Sequence, residues 1–113
     1  MLVFWSTGCS SCLADLPALN ALHAELGGTI GMVGLPMQRD ADLAACVASR
    51  KGVLWPQVRG EPGALINPLA VALGVRRVPS LWVVDGQGVI RAAALERVEE
   101  LRSRVADVLA GRP

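Results

Sequence analysis

The sequence predicts an α/β domain: a mixed four-stranded sheet flanked by helices on both faces, with the first strand central. Three observations predict it. A short apolar run, Leu2-Val3-Phe4-Trp5, leads into a long amphipathic stretch and then a second apolar run, the pattern of a strand–helix–strand unit. Later, Asp85-Gly86-Gln87-Gly88 separates two further strand-like runs and is a strong hairpin signal. Finally, Val98, Leu101, Val105, Val108 and Leu109 recur at helical spacing near the end of the chain.

Each element has its own local reason. Met1 to Trp5 is short and apolar, and Ser-Thr-Gly follows it. Leu13, Leu16, Leu19, Leu22 and Leu26 then share one helical face, and Gly27-Gly28 ends that helix. Pro17 inside it removes a backbone donor, so a kink is expected about one turn beyond Cys12. Thr29 to Leu35 reads as the second strand, stopped by Pro36. Asp40 to Arg50 reads as a helix with Asp40 as N-cap. Gly52 to Gly63 is loop-like, with Trp55-Pro56 and Glu61-Pro62-Gly63. Asn67-Pro68 opens a short helix in the favoured cap-then-proline order, and Gly74 closes it. Ser80–Val84 and Val89–Ala93 are the hairpin strands. The last helix is expected from Leu95 or Glu96, with Glu96, Glu99 and Glu100 crowding its first turn. The first two strands need a right-handed crossover and should pair in parallel, and the last two antiparallel.

The length, 113 residues, suits one core, with the domain expected over residues 1–110 and a C-terminal tail at 111–113. A formal charge of +1 favours no nucleic-acid partner. No apolar stretch approaches the ~18–20 residues of a membrane span, so membrane attachment is expected only through segments outside this chain. The chain enters its first strand at once, without a signal peptide, which leaves the cytoplasm open and also suggests a trimmed start. Three cysteines exclude a dense disulfide framework and leave one pair plus Cys46.

That pair is Cys9-Ser10-Ser11-Cys12, placed between a strand and a helix. Two thiols spaced C-x-x-C at a helix start can close and reopen a disulfide. The partial positive charge of the helix N-terminus stabilises a thiolate, the attacking species in exchange. The same spacing also serves as half of a zinc site. A site of that kind needs two more ligands, and only His23 and Cys46 are available, on other turns or helices.

Two segments carry a resemblance. Phe4-Trp5-Ser6-Thr7-Gly8-Cys9-Ser10-Ser11-Cys12, followed by Leu16-Pro17-Ala18-Leu19, resembles the active-site strand and helix of thioredoxin-like proteins, and among them the TlpA/ResA-type thiol–disulfide oxidoreductases. Val75-Arg76-Arg77-Val78-Pro79-Ser80-Leu81-Trp82-Val83-Val84-Asp85 resembles their later proline segment. The resemblance implies a thioredoxin-like fold and thiol–disulfide exchange with protein substrates, with a reductase direction expected. It implies a thiol electron donor, no cofactor beyond the Cys9–Cys12 disulfide, and a bacterial envelope or periplasmic setting such as cytochrome c maturation.

It further implies that Pro79 is cis and packs beside the disulfide, and that Pro17 is the kinking proline of the active-site helix. Cys9, at the helix mouth, is then the attacking thiol. Cys12, one turn in, is the resolving one. Val78, Pro79, Gly8, Ser10 and Ser11 are expected to form the substrate surface, with Trp5 and Pro17 in support. Three departures stand out. Gly8 replaces the family's usual tryptophan. Met32 to Met37 offers no acidic residue for proton transfer. The strands that usually precede this point are absent, leaving Thr29–Leu35 as an unprotected edge.

Other readings remain beside these. A copper- or zinc-binding module on the same fold would use Cys9 and Cys12 as ligands. A peroxidase-like use of Cys9 lacks its expected surroundings. Pro79 also reads as an ordinary strand-start proline. Trp55 and Trp82 read as packing residues, His23 as a satisfied, partly buried side chain, and Cys46 as a small buried hydrophobe. Arg76-Arg77 reads as a solvated turn.

Overall fold

The structure, a computed structural model, describes residues 1–38, 40–58 and 67–112. Its elements in chain order are β1 (Leu2–Trp5), α1 (Ser10–Leu26), β2 (Val33–Pro36), α2 (Ala41–Arg50), α3 (Pro68–Leu73), β3 (Ser80–Val84), β4 (Ile90–Leu95) and α4 (Val98–Leu109). The sheet order is β2-β1-β3-β4, so β1 is an inner strand. It runs parallel to β2 and antiparallel to β3, and β3 is antiparallel to β4. The mixed α/β sheet is therefore the one the sequence predicts.

Alternation along β1 splits the core in two. Val3 and Trp5 face one side, with Leu81 and Val83 of β3, and are covered by Cys12, Leu16, Leu19 and Leu22 of α1, Ala44 and Ala48 of α2, and Val98, Leu101 and Val105 of α4. Phe4 faces the other side with Leu35 and Trp82, beneath Ala70 of α3. Phe4 and Trp82 meet edge-on, ring centroids 6.2 Å apart. Helices thus cover both faces.

Caps explain where the helices begin. Asp40 accepts from Leu43 N at 2.8 Å. Asn67 accepts from Leu69 N at 3.0 Å, with Pro68 at the first helical position and Gly74 left-handed at the end (φ 72°). Asp85 shapes the hairpin by accepting from Gln87 N and Val89 N.

Several boundaries move. The second strand starts at Val33 rather than Thr29, because Thr29 N and Ile30 N both turn back to Leu26 O and delay the extended run. Pro36 ends that strand from within, paired opposite Trp5. The last strand is Ile90–Leu95 rather than Val89–Ala93, and α4 begins at Val98, not Leu95 or Glu96. Leu109, expected on the buried face, is half exposed at the helix end. Nor is the β2 edge bare. Gly34 N donates to Pro56 O at 2.8 Å and Val58 N to Gly34 O at 2.7 Å, so the segment around Gln57 pairs with it. Glu61-Pro62-Gly63 lies outside the described residues.

Candidate functional site

The loop after β1 is tied at every step. Thr7 N donates to Gln38 Oε1 at 2.8 Å, Gly8 N to Ser6 Oγ at 3.2 Å, and Cys9 N to Ser6 O at 3.1 Å. Cys9 is thereby held as the N-cap of α1 in extended geometry (φ −99°, ψ 104°). Its sulfur accepts from Cys12 N at 3.1 Å and lies 3.4 Å from Ser11 Oγ. A thiol stands here where helices usually place serine or aspartate, and it takes up one of the donors the first turn leaves unpaired.

Cys9 and Cys12 are joined as a disulfide, Cα–Cα 5.2 Å. Cys12 is 2% exposed, whereas Cys9 is only half-buried and Ser10 and Ser11 are open to solvent. The sulfur of Cys9 is therefore the more accessible one.

The second wall comes from far along the chain. The Val78–Pro79 peptide bond is cis and immediately precedes β3. Ser11, Asp15, Arg77, Val78, Pro79, Glu96 and Arg97 line one cavity of about 420 Å³. The site residues Ser11, Val78 and Pro79 thus meet. Cys9 and Val78 also pack against the same apolar cluster. Among the described residues, neither the N–H nor the C=O of Val78 has a hydrogen-bond partner. Gly8 and Ser10 are exposed and do not line this cavity; Pro17 is exposed further along α1, which runs through it without a break. Trp5 is 1% exposed, and its indole N–H donates to Gln57 Oε1 at 2.8 Å.

Asp15 is the residue the sequence reading overlooked. It stands three residues after Cys12 and four after Ser11, the spacing that places side chains on one helical face. Partial burial, with Glu99 nearby as a smaller second cause, holds its carboxyl above the ordinary carboxylate range. Gln38 and Gln57 were also overlooked; no periodicity marks either. Arg77 pairs with Glu96 at 3.7 Å and Arg97 with Glu100 at 3.5 Å on the rim.

Two expectations are corrected. Cys46 is exposed, not buried, because α2 turns Ala44 and Ala48 inward and leaves Cys46 on its outer side. His23 is partly buried but not satisfied: its Nδ1 is buried without a hydrogen-bond partner among the described residues. Trp55 and Trp82 are core residues as expected, their indole N–H groups bonded to Asn20 Oδ1 and Ser80 Oγ. Among the described residues, no group of three or more His, Cys, Asp or Glu side chains could hold a metal ion. No helix among them is long and apolar enough to cross a membrane.

This arrangement of sheet, capping disulfide and facing cis-proline is the thioredoxin-like fold. The C-terminal domain of a thiol-disulfide oxidoreductase from Bacteroides thetaiotaomicron superposes with TM-score 0.82 over 97% of this chain and 76% of that one, at 22% identity. A secreted Mycobacterium tuberculosis disulfide oxidoreductase gives 0.74 over 93% and 78%, at 20% identity. In sequence, the chain is a relative of the thiol:disulfide interchange proteins. It is 31% identical to DsbE of Escherichia coli over 96 residues, 80% of this chain and 46% of that protein. It is 27% identical to HelX of Rhodobacter capsulatus over 110 residues, 96% and 59% respectively. The chain thus spans about half the length of these relatives. These relatives are in keeping with the TlpA/ResA-type resemblance. No family model matches.

Proposed function

We propose that this domain exchanges disulfides with cysteine-containing proteins through Cys9 and Cys12, working as a reductase. The observation that carries the reading is the position of the Cys9 sulfur: helix-capping, half-buried, and bonded to a backbone N–H. When the pair is reduced, that N–H and the helix dipole stabilise a thiolate there.

The Cys9 thiolate attacks one sulfur of a substrate disulfide. A Cys9–substrate disulfide forms, and the other substrate sulfur leaves as a thiolate and takes up a proton. Cys12, deprotonated, then attacks Cys9 and releases the second substrate thiolate. Two electrons pass to the substrate, and the domain ends with the Cys9–Cys12 bond present in this structure. A dithiol donor must reduce it again. Asp15, with its raised carboxyl on the adjoining cavity, is the group suited to take the proton that Cys12 gives up. Val78 offers its unpaired backbone groups to an extended substrate. The description of one structural neighbour as secreted supports an envelope setting.

Cys9→Ser should abolish reduction of a protein disulfide such as insulin's. Cys12→Ser should instead accumulate a mixed disulfide, visible by non-reducing electrophoresis and mass spectrometry. Full turnover by Cys9→Ser would refute the mechanism.

A further inference from the structure

Strands β1 and β2 run parallel and leave the sheet side by side, Trp5 opposite Pro36. Met37 N donates to Trp5 O at 2.7 Å, so the two chains stay together one residue beyond β2. Gln38 is thereby delivered to Thr7, 31 residues away in sequence, in the loop that leads to Cys9.

The Gln38 amide uses both of its ends. Its Oε1 accepts from Thr7 N at 2.8 Å, and its Nε2 donates to Asp40 O at 3.1 Å. One partner can only donate and the other can only accept, so the orientation of the amide is fixed. Asp40 caps α2 through its side chain and accepts from Ala44 N. Gln38 therefore joins the loop to the first turn of α2.

The loop needs such an anchor. Its other hydrogen bonds, Gly8 N to Ser6 Oγ and Cys9 N to Ser6 O, are internal and set its shape without placing it. Gly8 adds backbone freedom, and a Cβ there would meet only Ser6 Oγ at 3.8 Å, so nothing packs down on the loop at that point. Among the described residues, the bond to Gln38 is the single hydrogen bond from Ser6, Thr7 or Gly8 to a distant segment. The helix fixes the carbonyl side of Cys9 through Leu13 N, whereas its amide side is held through the loop. The direction of the Cys9 side chain depends on both.

We propose that Gln38 is a positioning residue for the exchange: by holding Thr7, it keeps the Cys9 sulfur in the helix cap, against the Cys12 N–H. The inference rests on the exchange function proposed above. Without that hold the loop samples other conformations, and the sulfur leaves the cap part of the time. The thiolate then loses the N–H and the helix dipole that stabilise it, and less of it is present in mildly acid solution.

The test uses the reduced protein with Cys46→Ala, which removes the exposed third thiol. Two readings are taken across pH: the ultraviolet absorbance of the thiolate, and the single-turnover release of thiol from a symmetric aromatic disulfide. Gln38→Met keeps the length of the side chain but loses both bonds. Its thiolate should appear at higher pH than the parent's. Its rate should fall about three- to tenfold in mildly acid solution, the equivalent of one hydrogen bond, and rejoin the parent's in alkaline solution. Gln38→Glu loses the bond to Asp40 but keeps an acceptor for Thr7. At high salt, which screens its added charge, it should follow the parent's pH profile. Both variants lose the Asp40 bond and should melt lower, so the profile separates positioning from stability.

A Gln38→Met profile that matches the parent's, or a loss equal at every pH, overturns the role. So does a Gln38→Glu profile shifted as far as that of Gln38→Met. Should Gln38→Met fail to fold, amide hydrogen exchange in the reduced parent decides. The Thr7 amide should be protected well beyond that of Gly8, and equal exchange overturns the anchor. A parent that releases no thiol at any pH overturns the exchange function instead, while the thiolate absorbance still reads where Gln38 holds Cys9.

Discussion

A cysteine in place of the usual oxygen cap makes the first turn of α1 reactive as well as stable. The cap bond from Cys12 N to the Cys9 sulfur couples the two partners through the backbone as well as through the disulfide. Asp15 follows one turn later. Its carboxyl is raised by burial first and by Glu99 second, so the folded protein holds the proton more tightly than the unfolded chain. The sign follows directly. The ionised form costs stability above the raised value, and the cost fades as pH falls below the ordinary carboxylate range. Asp15→Asn should therefore melt at a higher temperature than the parent near pH 7 and converge with it toward pH 3. It should also slow the resolving step and flatten the pH dependence of that step in the mildly acid range. Parallel melting curves at every pH, with an unchanged rate profile, would show that Asp15 plays neither part.

Among the elements, β2 depends most on a missing side chain. A Cβ at Gly34 would run into the amide of Gln57, the side chain that also receives the Trp5 indole N–H. The close approach lets the Gln57 segment pair with the sheet edge and seals Trp5 below the disulfide loop. Gly34→Ala should cost about 1–3 kcal/mol in denaturant unfolding through overpacking. It should also expose Trp5, read as a change in tryptophan fluorescence. An unchanged midpoint would mean that the edge can shift freely. At the other end of the sheet, Asp85 is held below the ordinary carboxylate range, chiefly by the Val89 N–H, then by Gln87 and Arg91 against some desolvation. The hairpin gains from its charge above the ordinary value and loses that gain as acid protonates it.

For the molecule as a whole, the direction of electron flow depends on which of two states, dithiol or disulfide, the folded domain favours. The Cys12 sulfur is buried against the core of α1, α2 and α4, while Cys9 stays half open. A reductase needs a couple more reducing than its surroundings. Equilibration with glutathione should return a midpoint at or below about −220 mV. A value near those of oxidising partners, about −120 mV, would reverse the proposed direction while leaving the exchange chemistry intact.

The order of elements, the C-x-x-C pair, the cap at Asp40, the Asn67-Pro68 start and the Asp85–Gly88 hairpin were all legible along the chain, because each is set by neighbours a few residues apart. The meeting of Ser11 with Val78 and Pro79 was expected only through a family resemblance, since no spacing rule connects them. The roles of Gln38 and Gln57, the exposure of Cys46 and the orphaned nitrogen of His23 belonged to tertiary structure alone. Packing between distant segments decides which face of a helix turns inward and where one backbone lets another approach, and a local pattern carries no record of that partner.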